Sequence, residues 1–257
     1  MSTPARLALF VLALIVLAPA VWHVAQALPA FGTPIEQYGT AVNALLTVER
    51  HVTNMVAAVN FDVRGFDTLG EESMLVCAVT GAVVLLRGKR GESTTDRAGK
   101  IPGRAVASRT DATVLVCRIA ATLTLLFAVY MALHGTVTPG GGFQGGAIAG
   151  SSLMLLYLGE GYESWRRMVR SPALDVLEGG GAFVFVGTAA VPLMLGYALL
   201  QNVLPFGTPK DLYSGGLMVV ANFAVAVSVA GSFGLLLLEF MEETRSPESE
   251  SLPDEED

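Results

Sequence analysis

The chain has 257 residues, 52% of them hydrophobic and only 15% charged, with a mean hydropathy of +0.55. An ordinary soluble domain carries about 25% charged residues, so a soluble globular protein is excluded. The formal charge of −7 belongs to the C-terminal tail: residues 242–257 hold eight acids and one Arg, the rest is neutral overall, and the balance implies no basic or acidic partner and no nucleic acid.

Six apolar runs predict an all-α membrane protein, because helices satisfy their own backbone groups in lipid. The first run covers about 7–28. Its Ala25-Gln26-Ala27 resembles a signal-peptidase site, but the run is long for a signal core and reads as a transmembrane helix. From 31 to 66 Val42, Leu45, Leu46, Val52, Met55, Val56 and Val59 recur at roughly helical spacing, interrupted by Asn43, Glu49, Arg50 and Asn54. That pattern predicts an amphipathic helix on the outer membrane surface or against a partner.

The second span is expected at about 68–86 and the third at about 112–133. The fourth is shorter, about 143–158. The fifth is expected at about 176–200 and the sixth at about 213–240. Seven basic residues from Arg87 to Arg109 follow the second span, and Arg166, Arg167 and Arg170 follow the fourth. The positive-inside rule puts both connections, and with six spans both termini, in the cytoplasm of a multi-pass protein of the cell inner (plasma) membrane. The stretch after the third span then lies at the outer face.

Few charges fall inside the spans, so each is a candidate. Glu71 and Glu72 lie one turn into the second span. They read either as a charged helix start with Asp67 as N-cap or as carboxylates of an ion path that hold a proton or help bind Na+. Arg118 lies about 10 Å inside the third span at 1.5 Å per residue. It is expected to snorkel to the cytoplasmic face, with Asp111 as partner. His134 ends the third span, as a structural residue or as a proton shuttle. Small residues crowd the later spans: Gly146, Ala147, Ala149, Gly150, Gly179 to Gly181, and the pairs Ala224/Ser228 and Ala226/Ala230. Asn222 nearby is placed to hydrogen-bond across helices. Cys77 and Cys117 read as buried hydrophobes, and no metal or cofactor spacing occurs. P-loop, GxSxG and HExxH motifs are absent, so the sequence supports a non-enzymatic transporter-complex subunit without cofactor.

Two motifs carry a resemblance. Thr138-Pro139-Gly140-Gly141-Gly142-Phe143-Gln144-Gly145-Gly146, preceded by His134-Gly135, resembles the signature of the B-type (MnhB) component of multisubunit Mrp/Mnh-type Na+/H+ antiporters. Asp62-Val63-Arg64-Gly65-Phe66-Asp67-Thr68-Leu69-Gly70-Glu71 resembles the C-terminal part of the antiporter's large A-type component and the separate E-type component of membrane-bound hydrogenases related to complex I. The resemblance implies an E-type module over 1–90, a cytoplasmic linker over 91–110, an MnhB-like four-helix module over 111–242 and an acidic disordered tail over 243–257. It also implies other membrane subunits of an Mrp-type or complex I-related assembly as partners, within the lipid bilayer, and Na+ and H+ as the transported ions. Asp67 and Glu71 match the family acids; Glu72 is an additional acid without an assigned role. The equivalent subunit of an energy-converting redox complex, and a scaffold without an ion path, stand as alternatives. The glycine loop is expected either to expose carbonyls to an ion, as discontinuous transporter segments do, or to seal helix packing.

Overall fold

The computed structural model describes residues 3–28, 30, 32, 36–88, 101–102, 110–243 and 245–246. Most of the linker and of the acidic tail therefore lies outside the described residues. Two compact units are distinguished, residues 1–41 and 42–257. The first contains α1, Thr3–Ala27. None of its span Phe10–Ala27 is buried, and apolar side chains cover its whole surface, as suits a helix surrounded by lipid. Helix α2, Glu36–Glu49, follows.

The second unit is built around α9, Leu217–Glu243. Within the chain 61% of the α9 span is buried, against 17% for α4, Gly65–Gly88, and 11% for α5, Asp111–Leu133. Helix α9 therefore acts as the central post. Packed on it are α4, α5, α6 (Gly142–Glu160) and α8 (Ser171–Met194). Five described helices are long and apolar enough to cross a membrane: α1, α4, α5, α8 and α9. Helix α6, the sixth expected span, has 19 residues, about 28 Å at 1.5 Å per residue. Glycine and serine dilute its hydropathy, and it packs on both α5 and α9.

The expected amphipathic segment is broken into α2, a single turn α3 (Met55–Ala58) and a π-helical turn, Val59–Val63. Val42, Leu46, Val52, Ala57 and Phe61 turn into a core shared with Phe185, Met218 and Val225. A second core joins Val79 and Val83 of α4 to Leu174, Leu235, Leu238 and Trp165 of the short α7, Tyr162–Met168. Ile101–Pro102 (β1) pairs antiparallel with Arg245–Ser246 (β2).

Two boundaries differ from the sequence expectation. Helix α8 stops at Met194, short of Leu200. Gly196 has φ +85°, its N–H reaches Leu193 O, and Tyr197 N–H reaches Pro192 O at 3.0 Å. This is a Schellman stop, in which a left-handed glycine ends the helix. Helix α9 starts at Leu217, past the apolar Leu212-Tyr213, because Gly215 and Gly216 have φ +103° and +59°. Asn202 Oδ1 accepts the Leu217 N–H at 3.0 Å and fixes that start.

Helices α6 and α9 approach closely through Gly142, Gly146 and Gly150, spaced four apart on one face. A Cβ on Gly146 would lie 2.6 Å from Val229 Cβ, and one on Gly150 2.5 Å from Phe233 Cβ. Gly187 on α8 has open space around its Cβ position. Gly146→Ala is therefore expected to destabilise the fold by about 1–3 kcal/mol through overpacking. Gly187→Ala should be neutral or stabilising by up to about 1 kcal/mol. Thermal denaturation of the two variants in detergent checks this; equal midpoints would refute the close-packing account.

Candidate functional site

The glycine loop is a hydrogen-bonded knot. Helix α5 ends at Leu133, with His134 as its C-cap. The His134 ring lies 4.2 Å from the Tyr130 ring, and its Nδ1 is 3.1 Å from Tyr130 O. Asn54, just before α3, is buried. Its Nδ2 donates to Gly135 O at 2.6 Å and Thr138 O at 2.9 Å, with Gly140 O further off at 3.3 Å. Its own N–H reaches Thr136 O at 3.1 Å, and Thr53 Oγ1 donates to Val137 O at 2.6 Å. The carbonyls of Gly135, Thr136, Val137, Thr138 and Gly140 are thus already engaged by protein donors.

Asn222 of α9 closes the knot from the other side. Its Oδ1 accepts the Gly142 N–H at 2.7 Å, and its Nδ2 donates to Ala132 O at 2.6 Å. One side chain therefore ties the end of α5 to the start of α6. Gly140 and Gly141 have φ +156° and +153°, a conformation that disfavours any side chain. Phe143 packs against the core that holds Val42, Phe185 and Met218. Gly145 faces α5, where a Cβ would meet Ala128 O at 3.0 Å. Gln144 is exposed.

The second motif is placed residue by residue. Asp62, in the π turn, accepts from Arg50 Nε at 2.7 Å. Arg64 pairs with Asp67. Helix α4 starts at Gly65, so Asp67 lies in the first turn rather than at the N-cap, where its charge still suits the helix dipole. Thr68 is buried and donates to Asn60 O at 2.6 Å, fixing the rotation of α4. One turn later Glu72 points inward, 2% exposed, while Glu71 faces outward.

Glu72 lies in a polar seam between α4, α8 and α9. Buried polar side chains on the two helices packed against α4 include Glu178 of α8 and Ser228 of α9. Ser228 Oγ does not reach hydrogen-bond geometry, and both Glu72 carboxyl oxygens are buried without a hydrogen-bond partner. Glu178 accepts from Ser232 Oγ at 3.2 Å. The seam exists because α8 and α9 touch through glycine: a Cβ on Gly181 would overlap the Ser228 backbone, and one on Gly231 the Glu178 backbone. Further along α9, Glu239 is fully buried. Sequence reading missed Glu178, Glu239 and the anchoring role of Asn54.

Arg118 pairs with Glu160 at the end of α6, not with Asp111. The second Arg118 contact, from Nη2 to Glu160 Oε2, is 3.0 Å. Asp111 lies on the same helix face but two turns away along it, whereas α6 brings Glu160 alongside. Among the described residues no cluster of three or more His, Cys, Asp or Glu could hold a metal.

Residues 112–235 match the family model described as a domain related to the MnhB subunit of Na+/H+ antiporters. An uncharacterized protein of Methanocaldococcus jannaschii is 26% identical over 209 residues, covering 75% of this chain and 79% of its own length. A probable K+/H+ antiporter component of Rhizobium meliloti, of the combined A/B type, is 27% identical over 201 residues; the match covers 72% of this chain and 19% of that protein. Both matches are longer than 112–235, so the likeness extends beyond the MnhB-related segment. Among solved structures, a chain of the membrane-bound sulfane sulfur reductase, an archaeal respiratory membrane complex, superposes with a TM-score of 0.69 at 25% identity. That match covers 90% of this chain and 97% of the other. A chain of the Mrp complex from Dietzia sp. superposes with a TM-score of 0.64 at 19% identity, over 100% of this chain and 27% of that one, and shows a shared fold.

Removing Asn222 leaves the Gly142 N–H without a partner, at about 1–3 kcal/mol for the buried group, and leaves Ala132 O with only the longer bond from the Gly135 N–H at 3.4 Å. Asn222→Ala is expected to lower the thermal midpoint by several degrees. Asn222→Asp, which can accept from Gly142 but cannot donate to Ala132, should fall between it and wild type. An unchanged midpoint in Asn222→Ala would remove the knot from the stability account.

Proposed function

We propose that this integral membrane protein, whose residues 112–235 are an MnhB-related domain, is a non-enzymatic membrane subunit of an Mrp-type cation/proton antiporter assembly and takes part in moving Na+ and H+. The observation that carries the reading is the polar seam around Glu72 inside an otherwise apolar bundle. Ionisable groups at such depth are costly and are retained where they handle ions. The glycine loop supports a packing role, since Asn54 and the loop's other partners already occupy its carbonyls. Arg118 and Glu160 anchor one end of α5 to α6. An apolar groove of about 750 Å³ between α5, α8 and α9, lined by Leu133, Val176, Val184 and Phe223 among others, leaves a face for a neighbouring membrane subunit or for lipid.

Another reading has its own support. The likeness to the respiratory complex spans 97% of one of its chains, whereas only 27% of the Mrp chain is covered. The protein would then be the corresponding subunit of an energy-converting redox assembly, coupling chemistry on other chains to ion movement. Iron–sulfur proteins co-purifying with the chain would favour this second reading.

Sodium-dependent proton movement in vesicles holding the whole complex tests the ion-handling role, with assembly checked on native gels. Glu72→Gln is expected to abolish most exchange with assembly intact, and Glu71→Gln to have the smaller effect. Full exchange in Glu72→Gln would leave a scaffold role.

A further inference from the structure

We infer that the ion bound at Glu72 is the proton and not a metal cation: in this packing the side chain is a neutral carboxylic acid. The inference rests on the ion-handling reading above and deepens it. Its ground is the geometry of one side chain. Glu72 is 2% exposed, and neither carboxyl oxygen has a hydrogen-bond partner. An ionised carboxylate only accepts hydrogen bonds. Buried without a donor or a cation, it is far more costly than the neutral acid, which gives up the hydration of a polar group but not of a charge.

The neighbouring elements bring no positive charge to it. The π turn, α8 and α9 pack on α4. Helices α8 and α9 contain no Lys, Arg or His; their acids are Asp175, Glu178, Glu239, Glu242 and Glu243. Glu178 accepts from Ser232 Oγ, and Glu239 lies about 16 Å along α9 from Ser228 at 1.5 Å per residue. Asp62 of the π turn is held by Arg50, and Asp67 of α4 by Arg64. Glu71 and Cys77 of α4 and Asp175 of α8 are exposed. Arg87, the basic residue of α4, is at its far end, about 22 Å from Glu72 along the helix at 1.5 Å per residue.

The supply of oxygen ligands separates a proton from a cation. Among the described residues of α4 and α9, the buried side-chain oxygens without a partner are the two of Glu72 and Ser228 Oγ. Hard cations stripped of water take about six or more oxygens, and this set falls short. Backbone oxygens do not make up the difference, since α4, α8 and α9 run as continuous helices past this point and carbonyls of the glycine loop are engaged by Asn54 and Thr53. A proton needs a single oxygen. Binding forms one O–H bond on a Glu72 oxygen with a proton from water; release breaks that bond and returns the proton to water. The side chain thus alternates between neutral and singly negative. Release requires water or a donor to reach the carboxyl, which the present packing excludes.

Dicyclohexylcarbodiimide, which attacks protonated carboxyls in apolar surroundings, reads the neutral acid. The full chain in its purified complex is treated at neutral and at raised pH in sodium, potassium or choline chloride, and peptide mass spectrometry follows modification of Glu72. Labelling at neutral pH is expected, falling as the pH is raised. A cation competing at this carboxyl would slow labelling about tenfold at roughly ten times its Kd, whereas at a proton site replacing choline by Na+ or K+ changes the rate by less than about twofold. Glu72→Asp, which keeps the acid, should still label, and Glu72→Gln should not. Absence of labelling at Glu72 at neutral pH, or protection by Na+ or K+, overturns the proton assignment. The vesicle assay separates this from the reading it rests on. Cation-protected labelling, with exchange lost in Glu72→Gln, overturns the proton assignment and keeps the ion-handling role. Labelling that depends on pH and not on the cation, with full exchange in Glu72→Gln, keeps the assignment and overturns the ion-handling role.

Discussion

The close approach of α9 to α6 and α8 is the constraint on which the rest of the structure depends. Helices in lipid gain little from hydrophobic burial against one another, so their association relies on packing and on polar contacts. Here glycine makes the packing possible. Gly142, Gly146 and Gly150 admit α9 on one side, and Gly181 and Gly231 set backbone against backbone on the other. The same glycines decide where polar groups go. With α8 at this distance Glu178 meets Ser232, and with α6 at this distance Asn222 meets both Gly142 and Ala132.

The polar contacts fall into two kinds, and the difference bears on function. In the loop, donors and acceptors are matched: Asn54 and Asn222 together engage carbonyls and an N–H that a bent, glycine-rich chain would otherwise bury unpaired. A matched network rigidifies. In the seam, matching is incomplete, because Glu72 and Ser228 keep buried oxygens without partners. An incompletely matched network in a buried place is where an ion or proton gains most by entering. The more conspicuous sequence motif thus has its polar groups matched within the protein, and the less conspicuous acid does not.

Much of this architecture was legible in the sequence. Apolar runs located α1, α4, α5, α6, α8 and α9 within a few residues, since length and hydropathy in lipid leave few alternatives. The end of α8 and the start of α9 were not, because Leu195 to Leu200 and Leu212-Tyr213 continue the apolar pattern and only the positive-φ glycines interrupt it. Which of Glu71 and Glu72 turns inward was also hidden. Apolar residues are spread around every face of α4, so periodicity has no preferred side to report. Thr68 settles the rotation through Asn60, a contact across a π turn that spacing rules do not anticipate. The partner of Arg118 and the reach of Asn54 to the loop, 81 residues away for Gly135, are tertiary facts without a local signal.

The segment that contains the Asp62–Glu71 motif and the MnhB-related domain meet at this seam. Glu72 follows directly on Asp62 to Glu71, while Glu178, Ser228 and Ser232 lie within residues 112–235. Separate chains could bring such groups together only across an interface between subunits, whose geometry depends on assembly. Here both come from one covalent chain and pack on one central helix, so the seam forms within the protein's own fold. Matches to the Rhizobium and Methanocaldococcus proteins likewise extend past the MnhB-related segment, as expected if the two parts are held together by what lies between them.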